Sequence, residues 1–91
     1  MAETNVIRAR YWAAAKEAAG TDADVVPVDG AITLAELRAA AAALHPGTRL
    51  AEVLAVCSTL VGEQPVGTAD PAAYVVEPGA SVEFLPPFAG G

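Results

Sequence analysis

The sequence predicts an α+β fold in which one main helix packs across a mixed sheet. Three observations lead to this class. Val6–Tyr11 places Ile7, Ala9 and Tyr11 on one face and arginines on the other, as a half-buried strand requires. A capping box opens the main helix at Thr33, and a last strand follows at Ser81–Leu85.

The first third of the chain reads as a strand, a short helix and a second strand. Trp12–Ala19 is rich in alanine, and Gly20 stands where a left-handed residue ends a helix. Asp24–Val28 holds three valines, and Pro27 restricts it to an edge or terminal position. After the turn at Asp29-Gly30, the chain leaves this strand, which we expect to form a hairpin with the first one; another pairing remains open.

The main helix has a clear start and a clear end. The Thr33 hydroxyl and the Glu36 carboxylate are spaced to satisfy backbone amides of the first turn, and Pro46-Gly47 stops the element. Apolar side chains recur at helical spacing and predict a stripe that lies on a sheet. The stripe consists of Leu34, Leu37, Ala41 and Leu44.

Beyond this helix the sequence predicts short strands and one long connection. Leu54–Cys57 and Thr59–Val61 read as short strands, and Pro78-Gly79 is the turn before Ser81–Leu85. Residues 62–74 are interpreted as an irregular connection. A β-grasp satisfies this order of elements, and periodicity alone also permits a ferredoxin-like sandwich.

Composition narrows the function classes. The chain has 91 residues, over half of them apolar, which suits one domain spanning residues 1–91. No apolar run is long enough to span a membrane, and the amino-terminal residues do not read as a secretory signal, so we expect a cytoplasmic protein. The formal charge of −6 disfavours nucleic acid; it suits a basic partner surface or simply keeps the domain in solution.

The end of the chain carries the strongest functional signal. Pro86 and Pro87 cannot continue a ladder and favour extended backbone, so we expect a flexible tail of residues 86–91 that projects from the sheet. Gly90 and Gly91 make a thread slender enough to bring a carboxylate into a buried reacting centre. Two terminal glycines arise by chance in about one chain in 200, so an ordinary disordered tail is the alternative. The prolines and the preceding strand favour the functional reading.

Aromatic residues near the tail divide between core and interface. Phe84 and Leu85 point to opposite faces of a strand, so one of them should be core. Phe88 lies beyond the prolines and is interpreted as an interface residue, since aromatic anchors dominate binding energy. Tyr11 and Trp12, at the junction of strand and helix, are interpreted as core.

The remaining reactive side chains indicate no catalytic site. Cys57 is the only cysteine, which rules out an internal disulfide and disfavours a cysteine-based metal site; we interpret it as a core residue. His45 is the only histidine and stands at a helix end, where a positive charge suits the helix dipole. No spacing suggests a Ser-His-Asp triad, so we expect the domain itself not to be an enzyme.

With these features in place, the chain resembles the sulfur-carrier subunit of molybdopterin synthase, in the family that includes the thiamine sulfur carrier. The resemblance covers nearly the whole length, and the ending is its most specific part. It is carried by Arg10–Ala13, Lys16-Glu17, Gly20-Thr21, Thr33, Leu34, Leu37, Thr59–Val61 and Phe84–Gly91. It implies a ubiquitin-like β-grasp with a projecting Gly-Gly tail.

The resemblance also implies a chemistry and a set of partners. A ubiquitin-activating-like adenylyltransferase would adenylate Gly91, and a sulfur donor such as a cysteine desulfurase or a rhodanese would convert it to a thiocarboxylate. The tail would then enter the large subunit of molybdopterin synthase and pass sulfur to a pterin precursor. The chain lacks a Gly-rich phosphate loop, so we expect no bound cofactor, with ATP bound by the partner and no metal bound by this chain. The partner-binding residues would be Pro86, Pro87, Phe88, Ala89 and Lys16.

Two departures and two alternatives accompany this reading. Lys16 stands where many relatives carry arginine, which keeps the charge but loses bidentate geometry, and residues 67–76 form a longer connection than in compact relatives. The same chemistry could serve thiamine or cysteine synthesis. From a different class, the chain could be a ubiquitin-like modifier or a noncovalent interaction module. Lys16 is its only lysine, which restricts chains linked through copies of itself.

Overall fold

A computed structural model describes residues 5–87; residues 1–4 and 88–91 lie outside the described part. The helices and strands are numbered in chain order. They are β1 (Val6–Tyr11), α1 (Ala14–Ala19), β2 (Ala23–Pro27), β3 (Ile32–Thr33), α2 (Leu34–Ala43), α3 (Leu50–Val56), β4 (Ser58–Val61), β5 (Gln64–Pro65), β6 (Val75–Val76) and β7 (Ser81–Leu85).

Five of the strands form one mixed sheet in the order β2-β1-β7-β4-β5. β1 pairs with β2 in the antiparallel sense, which confirms the expected hairpin, and with β7 in the parallel sense. β4 pairs antiparallel with β7 on its other side. β7 therefore lies in the middle of the sheet, between the first strand and β4. β3 and β6 form a separate two-stranded antiparallel sheet.

The helices cover one face of the large sheet, and the core lies between them. The alternation of β1 is confirmed, because Ile7, Ala9 and Tyr11 are buried while Arg8 and Arg10 are exposed. The helices contribute Leu34, Leu37, Ala41, Leu50 and Leu54, and β7 contributes Val82 and Phe84. Phe84 is thus the core member of the Phe84-Leu85 pair. The sheet's other face carries no helix in the described part of the chain.

Both predicted helix signals are confirmed in atomic detail. Thr33 Oγ1 accepts the Glu36 amide at 3.1 Å, and Glu36 Oε1 accepts the Thr33 amide at 2.9 Å. These reciprocal bonds satisfy donors that the first turn of α2 would otherwise leave unpaired. Gly20 ends α1 in the left-handed conformation with φ 76°, and its amide donates to the Lys16 carbonyl.

The prediction of a strand at Leu54–Cys57 is wrong, because these residues belong to the end of α3 and its cap. Leu50 and Leu54 are both buried, four residues apart on one helix face, whereas Val56 is 63 % exposed. A four-residue apolar run cannot by itself distinguish strand from helix, and the deciding signal was Leu50, outside that run. The strand predicted after it is confirmed as β4.

Several boundaries also differ. The prediction that Leu44 belongs to the apolar stripe of α2 is wrong: Leu44 is 49 % exposed, because α2 ends at Ala43 and the chain turns before this residue reaches the core. The first helix begins two residues later than predicted, and β2 is shifted one residue towards the amino terminus. The 62–74 connection contains β5, which forms a tight hairpin with β4 through residues 62–63.

The junction of β1 and α1 is strained. Ala13 has φ 51° and ψ −121°, and it is the only non-glycine residue of the described part with a positive φ. An L side chain in such a conformation costs about 1–3 kcal/mol, so the surrounding contacts must hold it there. Trp12 supplies one of them, since its amide donates to the Phe84 carbonyl at 3.1 Å.

Replacing Ala13 by glycine should stabilise the protein, which is unusual for such a change. Glycine adopts positive φ without strain, so Ala13→Gly should raise the free energy of unfolding by about 1 kcal/mol, or about 4–8 °C in Tm for a domain of this size. Thermal unfolding followed by circular dichroism measures it. The matched control, Ala14→Gly in α1, should lower Tm instead; the same sign for both variants would contradict the strain at Ala13.

Candidate functional site

The candidate site begins where β7 ends. Leu85 is the last residue of the strand and pairs with Ser58 of β4. Pro86 and Pro87 follow it outside any strand, and both are exposed. Hydrogen bonds to β1 and β4 hold β7 on both edges, so the point from which the tail departs is fixed. The other predicted tail residues, Phe88, Ala89, Gly90 and Gly91, lie outside the described residues.

Trp12 lies beside this point, and the prediction that it belongs to the core is wrong. Its side chain is 42 % exposed, and its indole Nε1 donates to Glu83 Oε1 at 3.1 Å. The Arg10 guanidinium carbon lies 5.5 Å from the ring centroid, within cation–π range. Because Tyr11 is the last inward-facing residue of β1, strand alternation turns the next side chain to the open face.

The open face therefore carries a distinct patch, here called the tail-root surface, at the end of β7. Glu83 and Leu85 belong to it by the alternation of β7, since Val82 and Phe84 face the core. Leu60 lies opposite Glu83 in the ladder and shares its face. The tail-root surface consists of Trp12, Leu60, Glu83, Leu85 and Pro86. It combines an exposed aromatic ring with aliphatic side chains next to the tail.

A cavity of about 360 Å³ opens beside the tail-root surface. β5 and the residues after it form its outer wall, and β4 and the end of β7 form the rest. The lining is mainly apolar, with only two hydroxyl-bearing side chains. It consists of Cys57, Ser58, Thr59, Leu60, Pro65, Gly67 and Leu85.

Lys16, the predicted partner-binding residue outside the tail, lies on the exposed side of α1. Its Nζ is 3.0 Å from Asp22 Oδ1, and both side chains are mostly exposed, so this ion pair is weak. A cleft of about 120 Å³ connects it to Arg10 and Trp12. The structure thus brings Lys16 near the tail-root surface, and its role towards a partner stays a prediction.

A partly buried polar cluster on the helix side supports the same end of the sheet. Asp24 Oδ2 accepts the Tyr11 hydroxyl at 2.8 Å and contacts His45 Nε2 at 2.6 Å. The Asp24 and His45 side chains are only 20 % and 19 % exposed, and Tyr11 is 2 % exposed. His45 follows α2, so one carboxylate oxygen joins β1, β2 and the end of α2. The partner of His45 is therefore a carboxylate in β2, which the helix-dipole interpretation did not include.

Tyr11 connects this cluster to β7, the strand that precedes the tail. Its ring stacks on Phe84 with centroids 6.2 Å apart and meets the His45 ring edge-on at 6.4 Å. Burial of the phenol raises the pKa of Tyr11 well above its ordinary value of 10.0, and the hydrogen bond to Asp24 and the negative charge of Asp24 raise it further. The cluster therefore holds Tyr11 in its neutral form.

The raised pKa of Tyr11 predicts that the protein becomes less stable in alkaline solution. Above pH 10 the unfolded Tyr11 loses its proton while the folded one keeps it, so ionisation favours the unfolded state and stability falls as pH rises. Tyr11→Phe should lose less stability over the same range. Chemical unfolding at a series of pH values measures the difference, with Tyr74→Phe as the control. Parallel curves for the wild type and Tyr11→Phe would show that Tyr11 does not contribute.

Cys57 does not have the environment of a reactive thiol. It caps α3, is half-buried and packs against the core, close to its predicted place. Burial raises the pKa of the Cys57 thiol, and the positive charge of Arg38 only partly opposes this shift. A thiol with a raised pKa holds little thiolate at neutral pH.

The described residues contain no group of three or more His, Cys, Asp or Glu side chains placed to hold a metal ion.

Sequence reasoning missed two features of this site. The exposure of Trp12 follows from strand alternation, a signal already present in Ile7, Ala9 and Tyr11. The contact between Asp24 and His45 joins residues 21 apart, and no local pattern predicts it.

None of the helices between residues 5 and 87 combines the length and apolar character of a membrane span.

The sheet order, the parallel pairing of β1 with β7 and the helix across the sheet define a ubiquitin-like β-grasp domain. The chain belongs to the ThiS family, which matches residues 9–91. No curated protein matches the sequence.

Solved structures confirm the fold. SAMP1 from Haloferax volcanii superimposes with a TM-score of 0.69 at 22% identity, covering 94% of this chain and 99% of that chain. A second structure of the H. volcanii small archaeal modifier protein 1 gives 0.67 at 22% identity, with 91% and 98% covered. The solution structure of the H. volcanii HVO 2177 protein gives 0.73 at 24% identity, with 98% and 89% covered.

Proposed function

We propose that this protein is a sulfur carrier for the synthesis of molybdopterin, with the carboxylate of Gly91 as its working group. The observation that supports this most is the strand before the tail. β7 is hydrogen-bonded on both edges, and the residues after it are two exposed prolines. A rigidly anchored, slender tail suits delivery of a terminal group into a partner's active site. The family match, which extends to Gly91, supports the same reading.

The proposed chemistry takes place on the partners and needs three steps. A carboxylate is a poor electrophile, so an adenylyltransferase joins Gly91 to AMP from ATP and releases pyrophosphate. A persulfide on the sulfur donor then attacks the acyl carbon and AMP leaves, which joins Gly91 to the donor through an acyl disulfide. A thiol attacks the donor's sulfur and breaks the S–S bond, leaving a thiocarboxylate on Gly91 and a disulfide on the donor. In the large synthase subunit this sulfur attacks the pterin precursor, and water then cleaves the acyl–sulfur bond, which leaves the sulfur on the pterin and restores the Gly91 carboxylate. The chain binds neither ATP nor metal in this scheme.

Intact mass spectrometry tests the carrier chemistry directly. After incubation with ATP, a sulfur donor and an activating enzyme of the ubiquitin-activating type, the protein should gain the mass difference between sulfur and oxygen, localised to Gly91. Deleting Gly90-Gly91 should abolish the gain while leaving the thermal unfolding curve unchanged. A gain in the deletion variant, or none in the wild type with a demonstrably active enzyme, would contradict the proposal.

The tail-root surface is the contact that we propose for these partners. Trp12 is large, exposed and fixed by its bond to Glu83, which is the kind of aromatic residue that anchors interfaces. Its neighbours Arg10 and Lys16 offer cationic groups to a partner, next to the carboxylates of Asp22 and Glu83. A partner that receives the tail would have to cover this surface first.

Removing the Trp12 side chain should weaken partner binding without unfolding the protein. Trp12→Ala is expected to lower affinity for the activating enzyme by about 10-fold or more, as the loss of a hot-spot aromatic does. Isothermal titration calorimetry measures it. Val25→Ala is the matched control, because Val25 is 51 % exposed on the same sheet face but at the far edge. Equal affinities for the two variants would place the interface elsewhere.

A second candidate function is covalent modification of other proteins. Two of the solved structures similar to this chain are named for a small archaeal modifier protein, and a modifier would use the same activated Gly91. Modification predicts conjugates of higher mass in cell extract that disappear on deletion of Gly91.

The partner recovered with the protein distinguishes the carrier pathways. A large pterin synthase subunit supports the first proposal, whereas a thiazole or cysteine synthase supports the same chemistry in another pathway.

A further inference from the structure

We propose that the cavity beside the tail-root surface holds the ring of the protein's own Phe88 when no partner is bound. The tail would then be stored against the domain, and a partner would have to displace Phe88 before it could receive Gly91. This inference concerns the free protein and does not depend on which group Gly91 carries.

The position of the cavity is the first argument. Leu85 is both the last residue of β7 and part of the cavity wall, so the chain leaves the sheet at the rim of the cavity. Cys57, just before the partner strand of β7, lines the same cavity level with the first tail residue. A side chain a few residues beyond Leu85 can therefore reach the opening.

The two prolines provide the second argument, because they set the direction of the next side chain. Pro86 and Pro87 favour the polyproline II conformation, which has three residues per turn and rises about 3.1 Å per residue. In that conformation Phe88, three residues after Leu85, would return to the same side of the tail, about 9 Å further along. Its ring can lean back towards the cavity that Leu85 lines.

Size and polarity provide the third argument. An apolar cavity of roughly 150 Å³ is enough to hold benzene, so about 360 Å³ accommodates a phenylalanine ring. Leu60, Pro65, Leu85 and Cys57 give the wall apolar surface that matches an aromatic ring in polarity. Among residues 88–91, Phe88 is the only one with a large apolar side chain, because the others are alanine and glycine.

The experiment uses fluorine NMR on the full-length chain labelled with 4-fluorophenylalanine. The protein has two phenylalanines, so the spectrum contains two signals, and Phe88→Leu assigns them. Phe84 is fully buried and gives the reference for a protected ring, and the peptide Pro-Pro-Phe-Ala-Gly-Gly gives the reference for an exposed one. The measured quantity is the shift of each signal between H₂O and D₂O.

We expect the Phe88 signal to show no more than half of the solvent shift seen in the peptide. A shift equal to that of the peptide would overturn the proposal. The protection should be independent of protein concentration; its loss on dilution would assign the cavity to the tail of a second copy and would also overturn self-docking.

A pair of variants tests whether this cavity is responsible. Leu60→Asp places a charge in the cavity wall and should return the Phe88 signal to the peptide value while the Phe84 signal stays protected. Val25→Asp, at the far edge of the same sheet face, should leave both signals unchanged. Protection of Phe88 that survives Leu60→Asp in a folded protein would show that the ring binds elsewhere. Neither readout requires sulfur transfer, so failure here leaves the carrier proposal standing.

Discussion

The parallel pairing of β1 with β7 is the constraint on which the rest of the structure depends. It joins residues more than 70 positions apart and places the last strand between β1 and β4. A strand bonded on both edges cannot fray as an edge strand can, so the tail departs from the most restrained part of the sheet. The core packing of Phe84 against Tyr11, and the bond from Trp12 to Phe84, both reinforce this same strand.

The two faces of the sheet differ in what covers them. One face is covered by helices and supplies the packing energy, while the other carries no helix formed by residues 5–87. Tyr11 and Trp12 are adjacent in sequence, but Tyr11 is buried in the core and Trp12 lies on the open face. They differ because consecutive side chains of a strand point to opposite faces. The positive φ of Ala13 then turns the chain sharply into α1, so the helix starts close to the tail without covering the open face.

Local signals in the sequence predicted most of the fold. The alternation in Val6–Tyr11, the capping box at Thr33 and the terminal strand each involve residues within one element, and all three are confirmed. The wrong prediction at Leu54–Cys57 and the contacts that were missed share a physical cause. Leu54–Cys57 is apolar in either a helix or a strand, and only its packing through Leu50 decides between them. The parallel pairing, the Asp24 cluster and the cavity depend on contacts between elements, which no local pattern records.

The position of β7 also affects how the protein is made. β7 is the last strand to be synthesised, and it pairs with both β1 and β4. The centre of the sheet therefore cannot form until synthesis of the chain is nearly finished. A chain that lost its carboxyl-terminal strand would leave β1 and β4 without a common neighbour and expose unpaired edges, which cellular proteases and chaperones act upon. The fold therefore couples survival in the cell to possession of the strand that bears the tail, because a copy truncated before β7 would be a substrate for degradation.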